Sequence, residues 1–390
     1  MKKWLSLIGI ALCAVSCEEA PVYQSTGTER LNHPVGMAIV GSYGIVVNSN
    51  ITLGQNSGGL IAIDLSSDQL LLETLIPIPS FGGHFVVDSG MQRIYIPDKE
   101  NDALLVYKYD IPGSGGLPIS FSKVSVPSPI EPGISNGIEV DENPSSAVLV
   151  SDSLLGEVVM VANQLTGSVS VISTNTLTAT DLDAHADYNG RRLLTALNFT
   201  QEKKFPGQGA YRLVQEPSTK LVYVTSTSSN VVYVVDPSDL GIEAAIDFSS
   251  LAGSLRGTRG LAFDGLGKGY IIHKGLKSMI VFDSSSIVNN GANYELVTPS
   301  IISVVGLGQD PEDIVIDSGL IFVSHLGEES VYVYSLSTLA LQAKVFLQEG
   351  ADPLQVIVDS GNGRFYTSNF FSNSFSVFDL GSYLFVKDIE

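Results

Sequence analysis

Near its end the chain reads Gln355-Val356-Ile357-Val358-Asp359-Ser360-Gly361, then Phe365-Tyr366-Thr367-Ser368-Asn369, then Ser374-Phe375-Ser376-Val377-Phe378-Asp379. Each piece is a short run of β-prone Val, Ile, Phe and Tyr bounded by Asp, Ser, Gly or Asn. Asp359-Ser360-Gly361 has turn chemistry, because Asp can bond the backbone ahead of it and Gly accepts a positive φ. Tyr383-Leu384-Phe385-Val386 follows as a fourth apolar run. The local expectation is a meander of four antiparallel strands.

The same unit recurs towards the N-terminus, and periodicity of this kind outweighs any single motif. First strands are expected at Gly36–Val40, His84–Asp88, Ser146–Val150, Arg212–Glu216, Gly260–Asp264, Asp313–Asp317 and Gln355–Asp359. Their starts lie 42 to 66 residues apart, which is the size of a propeller blade. The two long intervals predict insertions, one around Pro112 to Asn143 and one around Asp181 to Gly209. Second strands include Ile94-Tyr95-Ile96 and Leu221-Val222-Tyr223-Val224, and third strands include Val232-Tyr233-Val234-Val235-Asp236.

Three stretches carry a resemblance to a known family. Val161-Ala162-Asn163 leading to Ser168-Val169-Ser170-Val171-Ile172, Tyr223-Val224-Thr225-Ser226, and the 365–379 stretch each resemble the Tyr-Val-Thr-Asn repeat. The similarity to the YVTN-repeat family runs over roughly residues 34–390. It implies an all-β chain folded as a seven-bladed β-propeller of four-stranded antiparallel blades. Ring closure is expected by packing of blade seven on blade one, with Thr28 to Asn32 adding an outer strand.

Composition agrees with a β protein. The chain has 390 residues, 44% of them hydrophobic, with 38 Gly, 17 Pro and only 16% charged residues. A net charge of −20 argues against nucleic acid as a partner, since phosphate binding is driven by Lys and Arg. The basic pairs Arg191-Arg192 and Lys203-Lys204 are too few to alter that balance.

The N-terminus reads as a transport signal. Lys2 and Lys3 precede an apolar run from Trp4 to Val15 that is too short to span a bilayer. Ala14-Val15-Ser16-Cys17 resembles the lipobox of bacterial lipoproteins, which implies residues 1–16 as signal peptide and lipidation of Cys17. Residues 17–33 would then form a tether reaching roughly 50 Å at about 3.3 Å per residue. With Glu18 after the Cys, analogy with lipoproteins favours the outer membrane. No Cys follows Cys17, so neither a disulfide nor a Cys-based metal site is available to the domain.

In a propeller the innermost strands line the channel. The residue before each first-strand hydrophobe gives a ring of Gly36, His84, Ser146, Arg212, Gly260, Asp313 and Gln355. The position of the repeat's Asn gives a second ring of Asn48, Asp98, Asn163, Ser226, His273, His325 and Asn369. Three readings follow for this funnel. Arg212 and His84 hold an anion, or Arg212 pairs with Glu216, Asp313 or another channel acid. His273, His325 and Asp313 hold a divalent ion.

The expected function is a non-catalytic scaffold, lipid-anchored in the bacterial envelope and monomeric. It would bind an envelope protein or extracellular ligand on a propeller rim, with no cofactor predicted. The alternative is a metal-dependent hydrolase resembling propeller lactonases, with Asp98, Asp152, Asn163 and Asp313 as candidate ligands. No His-Glu-x-x-His motif occurs in the sequence.

Overall fold

The computed structural model describes residues 31–49, 58–79, 82–112, 118–126, 137–152, 156–177, 209–237, 242–287 and 295–390. Signal segment, Cys17, most of the tether and both basic pairs lie outside these residues, as does nearly all of the second insertion.

The described chain forms seven antiparallel meanders in succession. Their first strands are Pro34–Val40, Val86–Asp88, Pro144–Asp152, Ala210–Gln215, Thr258–Phe263, Pro311–Asp317 and Pro353–Asp359. Each pairs with the strand that follows it, and these first strands pack against one another around a common axis. The result is a seven-bladed β-propeller.

Seven hydrophobic clusters hold it together, one between each pair of neighbouring blades. Period-two alternation sends successive side chains of a strand to opposite clusters. In blade one Ile45 and Val47 face blade two, while Val46 faces blade seven. In blade six Phe322 faces blade seven, while Ile321 and Val323 face blade five. No blade could bury both of its apolar faces alone, and full burial of one such side chain contributes about 1.5–3 kcal/mol. The ring is therefore the unit of stability.

Blades one, five, six and seven have four strands each. Blade three has three among the described residues, Pro144–Asp152, Gly156–Asn163 and Ser168–Ser173. Blade four gains a fifth strand, Glu295–Val297, which pairs in parallel with its outer strand Ile242–Asp247. In blade two the strand Ser120–Lys123 completes the four and Ile138–Glu139 adds to the third. Both come from the Pro112 to Asn143 stretch, so part of that expected insertion belongs to the blade itself.

Ring closure needs no exchanged strand. Blade one is built from residues 34–78 and blade seven from residues 353–389. Across the seam, Tyr366 Oη donates to Asp68 Oδ1 at 3.0 Å, and Lys387 Nζ donates to the Asp68 carbonyl at 2.6 Å. Leu31 packs into the seam cluster, but neither it nor Asn32 is in a strand. The last strand runs from Phe385 to Ile389, later than its expected start at Tyr383. Tyr383 instead has φ +60° and donates its N–H to the Asp379 carbonyl, which makes it part of the turn.

Candidate functional site

The channel wall is shaped by a bulge repeated in the first strand. In six blades the register slips near the strand start, after Pro34, Pro144, Ala210, Thr258, Pro311 and Pro353. A bulge bends the strand and re-aims a side chain. In three blades a hydroxyl on the second strand accepts the N–H at the slip: Thr225 from Arg212 (3.1 Å), Ser324 from Asp313 (3.0 Å) and Ser368 from Gln355 (3.1 Å). Each hydroxyl residue immediately precedes the repeat's Asn position. Part of the repeat pattern is thereby explained as a brace for the bulge.

Five members of the first ring, Gly36, His84, Ser146, Arg212 and Gln355, line one cavity of about 200 Å³ on the axis. Two of its polar side chains, Arg212 and Gln355, are already engaged. Arg212 Nη2 meets Asp313 Oδ1 at 2.6 Å, and Asp313 Oδ2 accepts the Val356 N–H at 3.2 Å. Gln355 Oε1 accepts the Met37 N–H at 3.0 Å across the seam. Of the two readings of Arg212, the geometry is that of the ion pair.

The second ring does not face the channel. Asn48, Asp98, Asn163, Ser226, His273, His325 and Asn369 are all buried inside their blades. Asn163 Nδ2 donates to the Ser168 and Ser170 hydroxyls, and Asn369 Nδ2 to those of Ser374 and Ser376. Asp98 accepts the N–H groups of Glu100 and Asn101, and burial lifts its pKa. Ser226 Oγ caps its own loop through the Ser228 and Ser229 N–H groups.

His273 Nδ1 accepts the Leu276 N–H at 3.1 Å, and its Nε2 lies 2.9 Å from Asn230 Oδ1. His325 packs against Tyr332 with ring centroids 4.0 Å apart and planes tilted by 38°, and burial lowers its pKa to about 4. His273, His325 and Asp313 are therefore not brought together. Among the described residues no three His, Asp or Glu side chains are gathered to hold a metal ion. The side chain of Asp152 lies outside the described residues.

The channel mouth is built by the residues flanking these two rings. Immediately before the first ring come Val35, Gly83, Tyr211 and Leu354, and immediately after the second come Ser49, Lys99, Leu326 and Phe370. With Gly82, His84 and Phe371 they enclose a second cavity of about 240 Å³. One wall is apolar: Phe370 and Phe371 meet edge to face at 5.1 Å, and His33 packs against both. The other wall is polar. Tyr211 Oη donates to Glu312 Oε1 at 2.6 Å, and the Arg259 guanidinium lies 5.3 Å from the Tyr211 ring centroid.

Burial, with Glu312 beside it, keeps the Tyr211 phenol protonated well above its usual range. His84 stands edge-on to Tyr211 at 6.0 Å, and burial plus the charges of Arg212 and Lys99 keep its imidazole neutral. The Lys99 pKa is lowered by burial, against the field of Glu312. Sequence reasoning missed Lys99, Tyr211, Ser49 and Phe370. Ser49, Lys99 and Phe370 each follow the last residue of a second strand, Asn48, Asp98 and Asn369, so strand alternation does not mark them.

Comparison with solved structures agrees on architecture. A functionally unknown protein from Desulfotomaculum acetoxidans superposes with a TM-score of 0.60 at 13% identity, over 89% of this chain and 95% of the other. Hydrazine synthase from Kuenenia stuttgartiensis gives 0.60 at 14% identity, over 91% and 98%. Virginiamycin B lyase from Staphylococcus aureus gives 0.57 at 11% identity, over 88% and 95%. At such identities the likeness is one of fold. No protein-family model matches the chain, and no curated protein matches it.

Proposed function

We propose that the protein is a non-catalytic binding module, lipid-anchored through Cys17 in the bacterial envelope. It acts as a monomer and holds a protein or other envelope ligand on the propeller face that carries the channel mouth. The observation that carries this reading is the mouth itself. Phe371 is 59% exposed there, beside Phe370 and above a cavity whose polar wall is already assembled. A solvent-facing aromatic at the rim of a concave site with few polar groups is the usual make-up of a recognition surface.

The YVTN-like repeats and the lipobox-like Ala14-Val15-Ser16-Cys17 support an exported, anchored propeller. The net charge of −20 favours ligands other than nucleic acid. Along the chain, the propeller begins on the mouth face, where the His33 N–H donates to Asn373 Oδ1 at 2.8 Å. The tether and the binding face would therefore lie on the same side.

Photo-cross-linking in intact cells tests the reading. A benzophenone side chain at position 371 should give one discrete adduct, and the same group at the exposed Ser318, in a turn on the opposite face, should give none. Cys17→Ser should release the protein from the membrane fraction. Equal labelling from both faces, or turnover of a small substrate without any adduct, would overturn the proposal.

A further inference from the structure

The two cavities on the axis differ in one respect that decides what each can hold. In the inner one the cation Arg212 is consumed by Asp313. Among the described residues that line the mouth chamber, Lys99 is the one Lys, Arg, Asp or Glu, and His84 and Tyr211 are both held neutral. Among the described residues no carboxylate lines the chamber. The Lys99 ammonium makes no hydrogen bond or ion pair with any described residue. Glu312 is the counter-charge that acts on it, and that carboxylate is already shared by Tyr211, Arg259 at 3.4 Å and Lys274 at 3.8 Å.

A second group waits in the same chamber. The Ser49 hydroxyl is fully buried and has no hydrogen-bond partner among the described residues. A buried polar atom left unsatisfied costs about 1–3 kcal/mol, so its place on a cavity wall points to a ligand atom or ordered water opposite it. The remaining walls, Val35, Leu326, Leu354 and the two phenylalanines, are apolar.

Resting on the reading of this face as the binding face, we propose that the mouth chamber binds a small organic carboxylate. Lys99 pairs with the carboxylate, Ser49 donates a hydrogen bond to the ligand's polar end, and Phe370, Leu326 and Leu354 enclose its apolar body. A cation is disfavoured because the only charge on the wall is positive. A divalent metal is disfavoured because the wall offers no carboxylate. The volume fits: an apolar cavity of about 150 Å³ admits benzene. The chamber's 240 Å³ leaves room for one ring and a short acid-bearing arm.

Calorimetric titration of the detergent-purified full chain tests this directly. The probes are a short series of aryl and alkyl carboxylates, from benzoate to phenylbutyrate and from butyrate to octanoate, each beside its neutral amide. At least one acid should bind saturably, with its amide roughly 10- to 100-fold weaker, the loss of one charge-assisted hydrogen bond. Lys99→Met should weaken the acid by the same factor and leave the amide unchanged, and Lys99→Arg should restore part of the affinity. Acid and amide binding alike, or no saturable binding by any member, would overturn the proposal without reference to a variant's folding. Should the cross-link at position 371 persist in that case, the face remains the binding face and only the carboxylate site is lost.

Discussion

Arg212 of blade four and Asp313 of blade six meet at 2.6 Å across the channel, and the ring position between them is Gly260. A Cβ on Gly260 would press against the backbone of Glu312 and Asp313, so the glycine lets blades five and six approach at this level. Both charged groups are mostly withdrawn from solvent, and removing one partner strands the other. Arg212→Met should therefore destabilise the protein by about 3 kcal/mol, while Arg212→Met with Asp313→Asn should recover most of the loss. Asn at 313 keeps an acceptor for the Val356 N–H. Urea unfolding of these two variants and of Asp313→Asn alone checks the cycle, and additive losses would contradict a direct pair.

Gly36 and Gln355 make the corresponding contact at the seam. A Cβ at Gly36 would overlap Gln355 Oε1, the atom that accepts the Met37 N–H. Gly36→Ala should cost about 1–3 kcal/mol through lost hydrogen bonding and overpacking. Combined with Gln355→Ala it should cost less than the two single changes summed. Thermal or urea denaturation reads the difference.

His325 predicts an acid limb in the stability profile. Its folded pKa of about 4 lies below the ordinary 6.5 because burial disfavours the imidazolium. Above pH 6.5 both states are neutral and the group contributes nothing. As pH falls from 6.5 to 4 the unfolded chain takes up a proton that the folded one refuses, and stability drops by up to about 3 kcal/mol. His325→Phe keeps a ring against Tyr332 and removes the proton site. Its stability difference between pH 7.5 and 4.5 should be smaller than that of the unmodified chain by about 2 kcal/mol, the residual slope coming from His84 and His273. An unchanged difference would show that His325 titrates normally.

Asn369 tests the structural role of the repeat. Its amide braces Ser374 and Ser376 and does not reach the channel. Asn369→Ala should lower stability by about 1–3 kcal/mol and leave the affinity for the best carboxylate unchanged. A loss of affinity in the folded variant would restore the second ring to the site.

The ring architecture was legible because its signals are local and repeated. Turns such as Asp359-Ser360-Gly361 and dense apolar runs such as Val231–Val235 mark inner strands whose faces are both covered. Outer strands were harder to read, since an edge strand carries polar and exposed residues, as Leu341–Phe346 does. Ser120–Lys123 was hidden for the same reason inside a stretch taken as an insertion. At the channel, the first ring was sought at the residue before each first-strand hydrophobe, and five of its seven members line the inner cavity. The second was misplaced by one residue: Asn, His and Asp invite a functional reading, yet here they satisfy the backbone and hydroxyls of tight hairpins. The neighbours that face the axis, Lys99 and Phe370 among them, break no pattern in sequence and gain meaning only when seven strands converge.

Both the proposed function and the carboxylate site require the mouth chamber to be where this propeller holds its ligand. A high-resolution crystal structure of the chain purified from its own envelope, without added ligand, tests that most directly. It should show density in the chamber between Lys99 and Phe370, within hydrogen-bond distance of Ser49 Oγ, and Arg212 still paired with Asp313. A chamber filled only by water, with an ion or organic molecule bound elsewhere on the propeller, would contradict it.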